Sequence, residues 1–389
     1  MNAFVMTAIF MVWNTTGFAL AADDSVSVTS LDAEGIEKTL WTDTGEKIFM
    51  PENHKLAVAL AADMKVNNIP VSHLLSMWQS NLTSEMNYLT DYVINFLNFL
   101  PNCNFPEDYQ YRHSLLIRCN NILGTVKTEF ETNPTNISSF TRDIIQRWSN
   151  REPSNIYGPK FKEEVEGYTT AEDSADEMTN QFSRDWLVNA KFEFNESEIN
   201  ELVTDVIKES FESTFEHPWN ADVDWHKSIL DDLVPYLINK VDAENSTHLL
   251  FVGYGTKDWV PHLVKLSIHP FAAGLPRADV KLVANPFIVW YEYLAQSDQV
   301  DLFLSGYESS YHSKVSSLLP EEAKADILAQ LEELESERIS EMRKKVNNLS
   351  LAKLEFVARS FVEMESLGSF LVEYLPSVGG DIKVVSMTR

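Results

Sequence analysis

The sequence predicts a layered α+β fold, with helices covering sheets and a long helical segment inserted between two strand-rich ends. Three observations carry this. Short apolar or alternating runs dominate the first 66 residues and return after residue 246. Between them, from Pro70 to about Asn245, apolar residues recur at helical spacing. Two helical segments then stand directly before a final strand.

Taken in order, Thr7 to Trp13 reads as a strand, Asn14 to Gly17 as a turn and Phe18 to Ala22 as the returning strand. Asn-x-x-Gly between two β-prone runs is a hairpin signal. Ser25 to Thr29 alternates, and Lys47-Ile48-Phe49 and the apolar run Leu56 to Ala61 continue the strand pattern. Pro70 suits the first turn of a helix bearing Leu74, Leu75, Trp78 and Leu82. Met86 to Leu100 is apolar on more than one side and predicts a buried helix. Arg151 to Thr170, with Pro153, Gly158 and Pro159, reads as a loop. Acidic helices with solvated faces follow over Ala171–Ala190, Glu196–Phe215 and Val223–Val241.

Strands resume at His248–Tyr254 and Leu263–His269, and Pro286–Ala295 reads as a helix. Pro320 opens a long helix with Glu321 and Glu322 at the positive end of its dipole and an apolar stripe of Ile327, Leu328, Leu331, Leu334, Ile339 and Met342. Ser350 caps a second helix through Leu354, Ala358, Phe361 and Val362. Gly379-Gly380 leads into the last strand, Ile382 to Met387.

The chain of 389 residues would ordinarily divide into two or three domains. The pattern instead gives one core in two parts, residues 1–75 and 246–389, around a helical insertion over 76–245. With 44% hydrophobic residues the composition is globular. The net charge of −27 argues against nucleic acid and anionic membrane surfaces as partners. No apolar run reaches the ~18 residues of a membrane span. The two cysteines, Cys103 and Cys119, are too few for a disulfide framework, and no His-Glu-x-x-His or Cys-x-x-Cys pair occurs, so neither metal nor cofactor is expected. Gly253-Tyr254-Gly255 with Lys257 lacks the remaining residues of a dinucleotide or phosphate loop. Ser350-x-x-Lys353 lacks its Ser-Asp-Asn and Lys-Thr-Gly partners, which leaves capping as its explanation.

The first residues admit a second interpretation. Ala3 to Trp13 is apolar, Ala19-Leu20-Ala21 is a small-x-small pattern, and glycosylation sequons stand at Asn14, Asn81, Asn136, Asn195, Asn245 and Asn348. Against a signal peptide, no Lys or Arg precedes the run, and polar Asn14 to Gly17 interrupts it. The hairpin in a cytoplasmic protein is preferred; a secreted acidic glycoprotein cleaved after Ala21 is the weaker alternative.

Several of these features coincide in one family resemblance. Thr7-Ala-Ile-Phe-Met-Val-Trp13 followed by Gly17-Phe-Ala-Leu-Ala-Ala-Asp23 resembles the opening hairpin of proteasome β-type subunits, members of the N-terminal nucleophile hydrolase superfamily. Gly45-Glu-Lys47-Ile-Phe49 and Leu56 to Asp63 are similar to the elements that follow it there. His248 to Tyr254, Val260 to Leu266 and Gly379-Gly-Asp-Ile-Lys-Val-Val-Ser-Met-Thr388 resemble the later hairpin and terminal strand. The enlarged helical middle is closest to that of uncharacterised bacterial proteasome-like proteins. The resemblance spans roughly residues 4–75, 246–300 and 350–389.

The resemblance implies a four-layer αββα N-terminal-nucleophile-type sandwich and a threonine peptidase or amidohydrolase acting on peptide or other amide bonds. Thr7 would be the nucleophile, with its freed α-amine or a water held by it as general base. Lys47, paired with Asp23, would lower the pKa at the nucleophile, and the backbone N–H at Ala59 would be the oxyanion donor. Thr7 must then be the mature N-terminus, through initiation at Met6 and methionine removal or through self-cleavage. Self-association into a homo-oligomer and a peptide or protein substrate are further implications. The family's supporting acid and serine fall at Leu375 and Val378, with Glu373 and Ser377 out of register, and Thr-Gly-Ser-Gly has no counterpart near Asn285-Pro286. Those departures motivate a second function class, a catalytically inactive proteasome-like scaffold or binding protein.

Overall fold

A computed structural model describes residues 8–31, 37–62, 65–66, 69–103, 109–132, 137–157, 196–220, 222–241, 246–269, 277–287, 289–295, 297–305, 321–372 and 378–389. Thr7, the helix expected over Ala171–Ala190, the loop residues after Tyr157, Pro320, Glu373, Leu375 and Ser377 lie outside the described residues.

The strands are β1 (Ala8–Asn14), β2 (Gly17–Asp23), β3 (Ser25–Leu31), β4 (Glu37–Thr44), β5 (Ile48–Phe49), β6 (Leu56–Ala62), β7 (Lys65–Val66), β8 (Ile69–Pro70), β9 (Thr247–Gly253), β10 (His262–His269), β11 (Arg277–Ala284), β12 (Tyr291–Ala295) and β13 (Ile382–Thr388). The α-helices are α1 (Val71–Asn81), α2 (Leu89–Phe99), α3 (Tyr109–Thr132), α4 (Ile137–Ser149), α5 (Glu196–Phe215), α6 (Asp224–Asn239), α7 (Asp298–Ser305), α8 (Glu321–Val346) and α9 (Leu351–Val372). The fold is α+β.

β1 and β2 form the expected hairpin, with Trp13 opposite Phe18 and Asn14 opposite Gly17. Both strands are buried along their whole length. That explains their unbroken apolar sequence: a strand covered on both faces has no reason to alternate. The same signature imitates the apolar core of a signal peptide. At the turn, Asn14 is buried, and its amide donates to Val346 O (3.1 Å) and Leu349 O (2.9 Å). This sequon asparagine is therefore spent inside the fold.

Two sheets carry the core, in the orders β12-β1-β2-β13 and β11-β10-β9-β6-β5, with antiparallel pairing. Alternate residues sort into separate clusters, as a period of two requires. Ile9, Met11, Phe18 and Leu20 meet Ala57, Ala59, Leu250 and Val252 between the sheets. Phe10, Val12, Ala19 and Ala21 point the other way and pack under Leu354, Ala358, Phe361 and Val362 of α9. On the far side, Val58, Leu249, Phe251 and Val264 pack against Trp78, Val93 and Phe96 of α1 and α2. Layers therefore run helix, sheet, sheet, helix. The helices from α1 to α6 share one apolar cluster with this outer face.

The helix expected over Pro286–Ala295 is corrected: Tyr291–Ala295 is the edge strand β12, with Tyr291 opposite Val12 and Ala295 opposite Ala8. Aromatic residues at Trp290, Tyr291 and Tyr293 fit a pleated surface, and pairing with β1 satisfies the backbone. Pro286 belongs to the preceding turn, where Phe287 N–H donates to the Asn285 side chain at 3.0 Å. In α8, Leu334 of the expected stripe is 62% exposed, so α9 and not α8 is the main cover of the four-stranded sheet. Among the described residues no helix is long and apolar enough to cross a membrane.

Candidate functional site

Asp23 closes β2 at one open end of the sandwich, and Lys47 stands directly before β5 of the other sheet. Lys47 Nζ lies 2.8 Å from Asp23 Oδ1, and their side chains are 1% and 0% exposed. The ammonium also donates to Ser25 O. Asp23 Oδ1 accepts the Ala8 N–H at 2.9 Å, and Oδ2 accepts the Gly379 N–H at 3.2 Å. One carboxylate thus gathers the start of β1, the Gly379 backbone ahead of β13, the end of β2 and the lysine before β5. Burial lowers the Lys47 pKa, and the charge and hydrogen bond of Asp23 oppose that shift.

Asp24 does a different job. Its carboxylate accepts the Asp381 N–H at 2.9 Å, and its own N–H donates to Asp381 O at 3.0 Å. Gly45 N–H donates to Asp24 O at 2.8 Å. A Cβ at Gly380, whose φ is +77°, would lie 2.0 Å from Asp24 Oδ1. The second glycine of Gly379-Gly380 is thereby required by close approach and by backbone conformation. A cleft of ≈ 380 Å³ opens beside the pair, walled by Asp24, Gly45, Glu46, Asp381, Ile382 and Lys383.

Of the expected site residues, the structure brings Asp23 and Lys47 together; Thr7 is outside the described residues, next to Ala8 in sequence. Ala59 lies inside β6, opposite Ile48 on one side and Leu250 on the other. Leu60 N–H donates to Lys47 O at 3.0 Å. Successive N–H groups of a strand point to opposite neighbours, so the Ala59 N–H is directed into the ladder toward Leu250.

Several residues beside this region escaped the sequence. Ser369 of α9 accepts the Val378 N–H at 3.3 Å, and Ser366 donates to Val378 O at 3.5 Å. These serines steady the backbone that delivers the Gly379 N–H to Asp23. Glu365, fully buried on the same helix, accepts the Val300 N–H at 2.8 Å at the first turn of α7. Burial raises its pKa to about 7. Ser297 precedes α7 and donates to Asp301 at 2.9 Å. The available signal was polar Glu365 and Ser369 lying in register with buried Leu354, Ala358 and Val362. Among the described residues no group of three or more His, Cys, Asp or Glu side chains could hold a metal ion.

No protein-family model matches the chain, and no curated protein matches it. Among solved structures it is similar to the Anbu (Gly-1) mutant from Hyphomicrobium sp. strain MC1, at 10% identity and a TM-score of 0.26, over 98% of this chain and 82% of that one. At that TM-score the overlap is too slight to carry a family assignment.

Proposed function

We propose that the chain is a proteasome-like N-terminal threonine hydrolase of peptide or other amide bonds, built on an αββα N-terminal-nucleophile-type core with residues 76–245 inserted. The observation that carries this is the buried Asp23–Lys47 pair, whose carboxylate accepts the N–H of Ala8, the residue after Thr7. Burial loosens the proton of the Lys47 ammonium, which shares this carboxylate with the Ala8 N–H.

In this mechanism Thr7 Oγ1 adds to the carbonyl carbon and its proton passes to the Thr7 α-amine, which has a pKa near ~8 when free. The tetrahedral adduct collapses, the leaving amine takes that proton, and an ester remains on Thr7. Water then hydrolyses the ester and releases the acid. Lys47 stabilises the negative charge that develops at the threonine oxygen, and Asp23 positions Lys47. With the Ala59 N–H directed at β9, the oxyanion donor in this mechanism would come from another backbone group.

The chain is proposed to be cytoplasmic and to self-associate. Cleavage after Ala21 would remove β1 and nearly all of β2, the two central strands of one sheet. The orientation of Ala59 favours a second reading, an inactive scaffold of the same architecture. Hydrolysis of fluorogenic peptides by the purified chain separates the two. Turnover lost in both Thr7→Ala and Lys47→Ala supports the hydrolase, and turnover unchanged by either contradicts it.

A further inference from the structure

The helix α9 carries two apolar faces. Leu354, Ala358, Phe361 and Val362 pack on the four-stranded sheet. Away from the sheet, Phe356, Leu367, Phe370 and Leu371 are between 59% and 72% exposed. A surface helix ordinarily turns its apolar stripe inward and polar residues outward, whereas a helix apolar on both sides is covered on both. At 3.6 residues per turn, the exposed residues Ala352, Phe356, Arg359, Glu363, Leu367 and Phe370 fall in one strip about 80° wide and about 27 Å long. Beside it α7 packs on α9, with Gln299 against Gly368, and leaves Leu302 and Phe303 half-exposed.

The order of residues in this strip is self-complementary. In a two-fold contact, residue i of one copy meets j of the other, and j meets i. Two α9 helices laid antiparallel, with the axis level with Phe361, set Ala352 of one copy opposite Phe370 of the other. The same axis sets Phe356 opposite Leu367 and Arg359 opposite Glu363. A small side chain thus meets a large one, apolar meets apolar and base meets acid, each twice by symmetry. Within a single helix the Arg359–Glu363 order is the weaker one for an i,i+4 pair, because the acid stands on the C-terminal side. A contact with an unrelated protein would not require this symmetry, which favours a second copy of the chain.

We propose that the outer face of α9 is a two-fold interface, on which α9 of a second copy lies antiparallel with Arg359 and Glu363 paired across the axis. The pairing concerns the helix layer and does not depend on the hydrolase reading.

Sedimentation velocity of the full chain over a concentration series tests this. Salt of about 150 mM screens the general repulsion between two chains of net charge −27 beyond ~8 Å. Dimers are expected at micromolar concentration. Arg359→Glu and Glu363→Arg should each raise the dissociation constant by about ten-fold or more, because each sets like charges opposite one another. The double variant, Arg359→Glu with Glu363→Arg, restores opposite charges across the axis and should recover most of the lost affinity. All four positions of the pair are exposed, so each variant keeps its core, and equal melting temperatures check that. A chain monomeric at about 100 μM overturns the proposal and leaves the strip to a different protein. Self-association that neither single reversal weakens, or that the double variant fails to restore, overturns it as well. Peptide hydrolysis is read separately on the same samples, and its absence would count against the threonine mechanism alone.

Discussion

Lys47 and Asp23 form a fully buried ion pair, 2.8 Å from Nζ to Oδ1, that joins the two sheets at one open end of the sandwich. The same carboxylate holds Ala8 and Gly379 through their N–H groups. The pair is therefore both a structural clasp and the centre of the candidate site.

Removing one member leaves the other charged and dry. Asp23→Ala or Lys47→Ala should lower the unfolding free energy by about 3–5 kcal/mol, measured by urea titration. Replacing both, as in Asp23→Asn with Lys47→Met, should recover much of that loss while leaving no peptide hydrolysis. Single variants as stable as the unaltered chain would contradict the buried pair.

The two adjacent glycines should respond differently. A Cβ at Gly380 meets Asp24 Oδ1 at 2.0 Å, whereas at Gly379 the nearest atom is 3.7 Å away. Gly380→Ala should cost about 1–3 kcal/mol, and Gly379→Ala under about 1 kcal/mol. Equal melting temperatures for the two variants would refute the close approach.

Glu365 should give a measurable pH dependence. Its pKa rises from 4.5 to about 7 on folding, because burial disfavours the carboxylate. Between those values the folded state holds more protons, so its stabilisation is complete below 4.5 and is lost as pH rises through 7. Glu365→Gln should therefore gain stability relative to the unaltered chain as pH rises, by about 3 kcal/mol at most. His248 acts oppositely: its pKa falls from 6.5 to about 4, so its contribution is complete above 6.5 and is lost as pH falls toward 4. Urea titrations of the chain and of Glu365→Gln across pH 4.5–8 check this. Parallel profiles would rule it out.

Phe10 tests the layering itself. It sits in β1 beneath α9, edge-on to Phe361 with ring centroids 5.6 Å apart. Phe10→Ala should destabilise by about 3–5 kcal/mol in thermal or urea unfolding. A loss under about 1 kcal/mol would mean that α9 does not cover this sheet.

Much of the frame was legible. The β1–β2 hairpin, β6, β9, β10 and β13 announce themselves by short β-prone runs, and α5, α6, α8 and α9 by helical spacing. β11 was missed because Arg277, Asp279 and Lys281 interrupt its apolar residues and it carries a bulge opposite Lys265 and Leu266. β12 was read as a helix because five aromatic-rich residues carry no reliable period, and only pairing with β1 decides their conformation. At the site, Asp23 and Lys47 were reached through the resemblance of the opening hairpin and the Gly45-Glu-Lys47-Ile-Phe49 element to proteasome β-type subunits. Glu365 and Ser369 were not, since they arrive from a helix more than 300 residues later and their role exists only after packing.

The mass of the mature N-terminus of the purified protein tests the central proposal most directly. A chain beginning at Thr7, which gains the mass of a threonine-directed electrophile at that residue, is the predicted result. A chain that keeps residues ahead of Thr7, or begins at Ala22, and still hydrolyses peptides after Thr7→Ala would contradict it.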